Sequence, residues 1–533
     1  MKWRRVGVGL LLGLLTSVPA LGVIYIGDQL AGLTFAPFTI FEFMTRVLPG
    51  AVVTLTIDLM VTVITGLNLG PTAETAKLAE QAMALVQFII AGGLLGVVLA
   101  WVGNRGSWRR LPLWGLAGGL VLLLVAMTAE IAMGSDNLVL AIIWLAAVLG
   151  GWGLALGWVL REALFIQAET PDAEGRRTLL YLGGAALLAL VTSAIGLAAA
   201  LRERMPVAQE EATPTPIGPS SADTSGPAAS PPEPTLEARI QPVAGTRREI
   251  TSNEEFYRID INLRPPSVDG DEWRLSVAGL VDNPRDFTLN EIRALPAQSQ
   301  YITLSCISNQ IGGDLISTSR WTGVRLVDFL DEVGLQPEAT ALYIESADGF
   351  YETVVMEDMM DPRTLLVYEM NGEPLPVEHG YPLRIYIPNR FGMKQPKWIV
   401  RMEAVAEERE GYWVERGWSR TAFVRTTSVV DVVADQQTGD QLTTIGGIAY
   451  AGARGISRVE VQVDDGPWQE AQLRVPPLSP LTWVQWRYEW PAQPGRHTAR
   501  VRAYDGTGEL QVLEDSPPHP DGATGVDSFD FRT

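Results

Sequence analysis

The chain has 533 residues, too many for one hydrophobic core, so several domains are expected. Its formal charge of −20 offers no basic stripe for phosphates and argues against a nucleic-acid partner. A single cysteine, Cys306, excludes an intrachain disulfide, so the fold must hold by packing even in an oxidising compartment.

Residues 1–204 are rich in Leu, Ala, Val and Gly and read as an all-α transmembrane bundle. Five apolar runs, Val6–Ile26, Met83–Val102, Leu111–Met133, Leu138–Leu160 and Leu179–Leu201, each have the roughly 20 residues needed to cross a bilayer. A sixth, Ala51–Leu67, follows Pro49-Gly50 and carries Asp58; it reads as a span, a re-entrant segment or an interfacial one. Positive charges decide. Lys2, Arg4 and Arg5 set the N-terminus in the cytoplasm, and Arg105, Arg109, Arg110 with Arg161, Arg176, Arg177 form two further basic loops. Only five spans place all of these inside and the C-terminal half outside the cytoplasmic membrane. Gly175-Arg176-Arg177-Thr178-Leu179-Leu180 also resembles a twin-arginine export signal, although two arginines before a helix serve equally as topology charges. His379, His497 and His519 all lie beyond the spans, so no haem is expected in the bundle, whose role is that of a lipid-embedded anchor. Asp58 and Glu130 fit an interfacial segment and a helix end, and neither demands a proton path.

Residues 205–245 are dense in Pro, Ala, Ser and Thr and read as a disordered tether on which the following domain swings. Over 246–425, short strands such as Trp273–Val277, Tyr301–Leu304 and Leu383–Ile387 alternate with helical stretches such as Val327–Val333, an α+β pattern. Over 426–533 the helix signal disappears. Period-two runs Val459–Val463, Trp483–Trp490 and Thr498–Tyr504 between turn residues read as an all-β immunoglobulin-like sandwich.

Two segments carry chemistry. In Thr303-Leu-Ser-Cys306-Ile-Ser-Asn309-Gln-Ile-Gly312-Gly313 a strand ends at a cysteine before a polar loop. A thiolate there suits a soft metal, while a buried cysteine can equally be a small hydrophobe. Between Tyr368 and Trp398, His379, Arg384, Lys394 and Lys397 crowd around tight turns, a set of donors suited to a phosphate.

The run NGEPLPVEHGYPLR from Asn371, followed by GMKQPKW from Gly392, resembles the pterin-binding stretch of the sulfite oxidase family, and Cys306 with Asn309 resembles its molybdenum-ligand loop. The similarity runs from about Phe256 to the C-terminus. It implies a sulfite-oxidase-type molybdopterin domain with molybdenum-molybdopterin as cofactor. Cys306 would be the catalytic metal ligand; His379 and Arg384 would hold the pterin phosphate region. Asn309, Gln395, Pro396 and Lys397 would be further cofactor contacts, as would Tyr257 and Arg258 on a looser match and one residue within Glu345–Gly349. The implied activity is oxygen-atom transfer on a small-molecule or oxyanion substrate, with a separate electron carrier and a homodimer through the C-terminal domain. The pattern departs from sulfite-oxidising members at Gln310 and Ile311, where arginines are expected, and at Trp418 in Trp413-Val-Glu-Arg416-Gly-Trp418, where tyrosine is expected. Arg320, Arg390 or Arg416 would have to compensate. A sulfoxide or oxyanion reductase is the alternative, and a non-enzymatic tethered binding protein the remaining one.

Overall fold

The computed structural model describes residues 2–67, 69–133, 138–165, 175, 177–186, 188–189, 192, 240–435, 442–491 and 493–533. Arg176, most of Leu179–Leu201 and most of the Pro-rich stretch 205–245 therefore lie outside the described residues. The chain divides into two compact units, Met1–Leu48 with Lys77–Asp223, and Pro49–Ala76 with Thr224–Thr533.

The first unit is helical: α1 (Lys2–Ala31), α2 (Ala36–Val47), most of α4 (Thr72–Val102), α5 (Leu111–Met133) and α6 (Leu138–Leu164). Between them in sequence, α3 (Gly50–Gly66) belongs to the second unit. Trp3–Ala31, Thr72–Met133 and Leu138–Leu164 are long and apolar enough to cross a membrane, or four segments if α2 and α3 count as one bent span. Thr72–Met133 is itself broken at Gly103–Arg110, where Gly106 takes a φ of 100°. At about 1.5 Å per residue, α4 and α5 each exceed the roughly 30 Å of a hydrocarbon core. Glycines set the helix spacing: a Cβ on Gly13 would lie 2.2 Å from the Gly92 carbonyl oxygen, and one on Gly115 would lie 2.0 Å from that of Gly153. Such close backbone approach is how apolar helices associate where no hydrophobic gradient exists between them. Outward, Leu113, Leu124, Ile131 and Ile143 are exposed, so these helices are apolar all round.

The second unit opens on two mixed-layer sheets. One runs, in spatial order, Arg285–Phe287, Leu275–Gly279, Ile399–Val405, Ala341–Ser346 and Tyr351–Val355. Its Leu275–Gly279 pairs parallel to Ile399–Val405, the other neighbours antiparallel. The second sheet runs Ala297–Ser305, Ile316–Arg325, Leu365–Met370 and Glu373–Pro374, with Arg384–Tyr386 also on Leu365–Met370. Leu342, Ile344 and Met402 of the first sheet and Val324, Leu366 and Ile385 of the second share one core with the helix Leu326–Val333. That helix ends at Gly334, left-handed with φ 69°, as a C-terminal cap requires.

Beyond Arg425 two four-stranded antiparallel sheets follow: Thr427–Asp435, Leu442–Tyr450, Val484–Pro491 and Gln472–Leu473, and Gln469–Glu470, Ile456–Val463, Arg496–Asp505 and Asp527–Arg532. Residues of both, Ile445 and Trp486 against Val459, Val461 and Val501, form a single cluster. The alternating burial along Ile456–Val463 is the period-two pattern of a half-buried strand.

Candidate functional site

Cys306 stands where Ala297–Ser305 leaves its sheet. Its amide donates to the Leu315 carbonyl at 2.9 Å, closing a loop that returns into Ile316–Arg325. Asn309 braces that loop, its Oδ1 accepting the Leu315 amide at 2.9 Å. The thiol is 8% exposed, with Sγ 3.0 Å from the Ser308 hydroxyl. Burial pushes its pKa up, against the opposing pull of the Ser308 hydrogen bond and the Lys397 charge.

The second segment is built on a tight hairpin. Asn371 and Gly372 both take positive φ, 54° and 86°, as a two-residue Asn-Gly turn requires. The Asn371 amide group donates to the Thr251 carbonyl and to Asn253 Oδ1, both at 2.9 Å, and so anchors the stretch that leads to Tyr257 and Arg258. His379 closes the link: its Nε2 donates to the Asn253 carbonyl at 2.9 Å. Burial, reinforced by the Lys397 charge, lowers the His379 pKa to about 4, so the ring is neutral near pH 7.

Gly380, at φ 115°, lets two side chains converge, since a Cβ there would lie 3.1 Å from both Arg384 Cβ and Lys397 Cβ. Arg384 is 4% exposed, donates to the His379 carbonyl at 3.0 Å and lies 4.8 Å over the Trp321 ring. No carboxylate pairs with it among the described residues, and burial lowers its pKa to about 10. Lys397 donates to the Glu378 carbonyl at 3.1 Å and the Ile259 carbonyl at 3.3 Å, and pairs with the buried Asp260 carboxylate. Asp260 also pairs with Arg258, whose Nη2 is buried without a partner among the described residues. Tyr257, its phenol held above the ordinary range by burial and then by Cys306, lies within the field of both Cys306 and Arg384.

The structure thus brings Tyr257, Arg258, Cys306, His379, Arg384 and Lys397 into one electrostatic neighbourhood. Gln395 and Pro396 stand beside it as braces. The Gln395 amide donates to the Arg390 and Ile387 carbonyls, and the Pro396 carbonyl accepts the Ile385 amide at 3.1 Å. Gln395 Oε1 and the Ser346 hydroxyl, the latter within Glu345–Gly349, are buried with no partner among the described residues. Of the substitute arginines, Arg390 is held by Asp358 at 2.9 Å and Arg416 donates to the Tyr412 carbonyl at 2.7 Å. Trp418 is buried, edge-on to His519.

Asp260, Asn253 and Ser308 went unread in the sequence. Only the spacing of Asp260 two residues from Arg258 hinted at an ion pair. Also unread was the approach of residues 49–76 to this loop. The Thr72 amide donates to Asp314 Oδ2 at 2.8 Å, and Ala73 packs with Cys306 and Leu315.

A family model, "Oxidoreductase molybdopterin binding domain", matches residues 262–413. Rat mitochondrial sulfite oxidase is 29% identical over 297 residues, 47% of this chain and 54% of its own length. An uncharacterized oxidoreductase, YuiH of Bacillus subtilis, is 30% identical over 154 residues, 29% of this chain and 76% of that protein. The putative protein-methionine-sulfoxide reductase subunit YedZ1 of Azospira oryzae is 32% identical over 187 residues, 35% of this chain and 68% of that protein. The chain spans little more than half the length of the animal sulfite oxidase it matches. Its molybdopterin-binding domain and these similarities make the chain a member of the sulfite oxidase family of molybdopterin oxidoreductases.

Proposed function

We propose that the protein is a membrane-anchored molybdenum-molybdopterin oxidoreductase performing oxygen-atom transfer outside the cytoplasmic membrane. One observation carries the reading: Arg258, Arg384 and Lys397 crowd a buried site where Asp260 is the carboxylate in contact, and Arg384 has none. Buried cations without counter-charge are costly, and an anionic ligand removes that cost. The pterin phosphate is such an anion, so the residues fit the group. Arg384, Lys397 and Arg258 would hold the phosphate region, and the neutral His379, its Nε2–H given to the Asn253 carbonyl, would accept a hydrogen bond at Nδ1 beside it. Ser346 and Gln395 offer unmatched hydroxyl and carbonyl groups for the pterin. Tyr257 covers the thiol side, and Cys306 would ligate the metal as thiolate. When bound, the molybdenum centre supplies two-electron oxygen-atom transfer; the chain supplies position, exclusion of water and field. Electrons pass through a separate carrier. The two C-terminal sheets are read as the immunoglobulin-like domain through which family members dimerise.

The substrate belongs to the sulfite or sulfoxide class. Arg390 is committed to Asp358, Arg416 donates to Tyr412 and a buried indole stands at Trp418, which leaves Arg320, with no carboxylate in contact among the described residues, as the cation for an oxyanion. Reduction of a neutral sulfoxide stands as the second reading.

Parity supports the five-span topology. The start of α4 touches the Cys306 loop, so both lie on one side of any membrane. The chain between residue 76 and the catalytic fold must then cross an even number of times. Helices α4, α5 and α6 supply three crossings, and Leu179–Leu201 the fourth. With α1 the total is five, which the basic loops orient with the catalytic domain outside.

Metal and pterin analysis of the purified full-length protein tests the reading. One molybdenum and one pterin per chain are expected, and Cys306→Ser should keep the pterin while losing turnover with an artificial electron donor or acceptor. A chain purified without either, from a host that makes the cofactor, would leave the tethered binding protein as the better account.

A further inference from the structure

The segment Pro49–Ala76, which follows α2, is apolar over α3, yet it packs as part of the catalytic unit. Its two ends grip different parts of the site. At one end Gly50 abuts Arg416, where a Cβ would lie 2.8 Å from the Arg416 Cα, so only glycine allows the approach. At the other, the Thr72 amide is bonded to Asp314, and Ala73 packs on Cys306 and Leu315. Helix α3 lies between these two anchorages. Its faces differ. Thr54, Val61 and Ile64 are buried on one side, while Val52, Leu55, Leu59 and Val63, at helical spacing on the other, are 45%, 69%, 64% and 44% exposed. A contiguous stripe of exposed Leu and Val marks an interaction surface rather than a water-facing one. What it meets is set by its place in the chain. In the chain α2 and α3 lie between α1 and α4, both within segments long and apolar enough to cross a membrane, so the bilayer boundary is the apolar phase within reach.

We propose that residues 49–76 form a membrane-seated wall of the catalytic site: the outer stripe of α3 lies in the lipid boundary, while its two ends hold the Cys306 loop and the Arg416 turn at that surface. The inference rests on the reading that α1 and α4 cross a membrane. It replaces a domain swinging on its Pro-rich tether with one whose metal-binding loop is fixed beside the lipid.

Spin labels placed singly at Leu55→Cys and Leu59→Cys, in full-length cofactor-loaded protein in phosphatidylcholine–phosphatidylglycerol vesicles, test this. Leu124→Cys on α5 is the membrane reference, and the unsubstituted protein is the blank for the buried Cys306. Both α3 labels should collide with oxygen more than with a water-soluble nickel chelate, at a depth of roughly 5–10 Å below the headgroups. Labels in water at α3 with Leu124 in lipid would overturn the wall and leave the membrane reading standing. Labels near the midplane would make α3 a span, and labels reached by neither reagent would put protein on the stripe; either result also overturns it. A Leu124 label in water would remove the membrane reading and the wall together. The grip is read separately. Asp314→Ala in cofactor-free full-length protein should raise the alkylation rate of Cys306 several-fold, whereas Asp314→Asn, which keeps an acceptor oxygen, should not. Equal rates in all three proteins would overturn the contact.

Discussion

Replacing Arg384 with methionine should have opposite effects on the empty and the loaded protein. Burial brings the guanidinium from its ordinary 12.5 down to about 10. At about 1.4 kcal/mol per decade, that corresponds to roughly 3 kcal/mol of native-state destabilisation at neutral pH. The sign is that of a depressed cation: the cost is present throughout the range below pH 10 and is relieved only above it. Methionine removes the charge and still fills the space over Trp321. It also strips a donor from the His379 carbonyl, costing about 1 kcal/mol. The cofactor-free Arg384→Met protein should therefore be about 2 kcal/mol more stable than its parent by urea unfolding in detergent. With cofactor, a charge-assisted phosphate contact is lost, worth roughly 1.5–3 kcal/mol, so pterin should escape on dialysis one to two decades more readily. A cofactor-free variant destabilised by more than 1 kcal/mol would refute the unpaired cation, and with it the reason for placing an anion there.

His379→Gln tests the neutral imidazole. Because the buried ring protonates only near pH 4 while the unfolded one does so near 6.5, the cofactor-free parent should lose stability as pH falls through that window, by about 3 kcal/mol, and the variant should lose less; parallel curves would contradict the burial of the ring. Asp260→Asn leaves Arg258 and Lys397 without their shared carboxylate, so the empty protein should be destabilised by about 3–5 kcal/mol and partly rescued by cofactor; an unaltered melting temperature would count against the pair. Arg176→Lys with Arg177→Lys keeps both positive charges and removes the guanidinium groups a twin-arginine receptor would read. A C-terminal tag should then become protected from external protease in spheroplasts, and equal accessibility in parent and variant would eliminate the export reading.

Helix and strand positions were legible because their periods are written locally. The helices at Leu111–Met133 and Leu138–Leu164 start where the apolar runs start, and the run Val459–Val463 falls within the alternating strand Ile456–Val463. Trp273 was less so. It was expected to open a strand, but its indole instead donates to the Ile399 carbonyl at 3.0 Å, and the strand begins at Leu275. Cys306, His379, Arg384 and Lys397 could be named from their motifs. Ala51–Leu67 could not be placed, since composition says how apolar a helix is and not what it packs on. Nor could Asp260 be found: a single acid gains its meaning from Lys397, distant in sequence, reaching it across the fold. The division of labour within Gln395-Pro396-Lys397 was equally hidden. Only coordinates show the glutamine turned to the Arg390 carbonyl and the lysine to Asp260.

The distribution of carboxylates argues for where the ligand sits. This domain knows how to bury a cation safely. Arg390, its side chain 5% exposed, is matched by Asp358, and Lys394, 10% exposed, by the fully buried Glu352. Each has an acid of its own in contact, Arg390 having Glu357 at 3.9 Å as well, the arrangement that keeps buried charge tolerable. Around Gly380 the rule lapses. Arg258 and Lys397 share one acid, and Arg384, as deeply buried as Arg390, touches none among the described residues and feels Asp260 only at a distance. If burial of charge were incidental to packing, the mismatch would be scattered among the domain's buried cations. Among the described residues it is instead marked around Gly380, in the stretch that resembles a pterin-binding motif and whose Lys397 charge acts on the Cys306 thiol. On the proposed reading the balancing charge comes from outside the chain, and a phosphate-bearing cofactor is an anion of suitable size and charge.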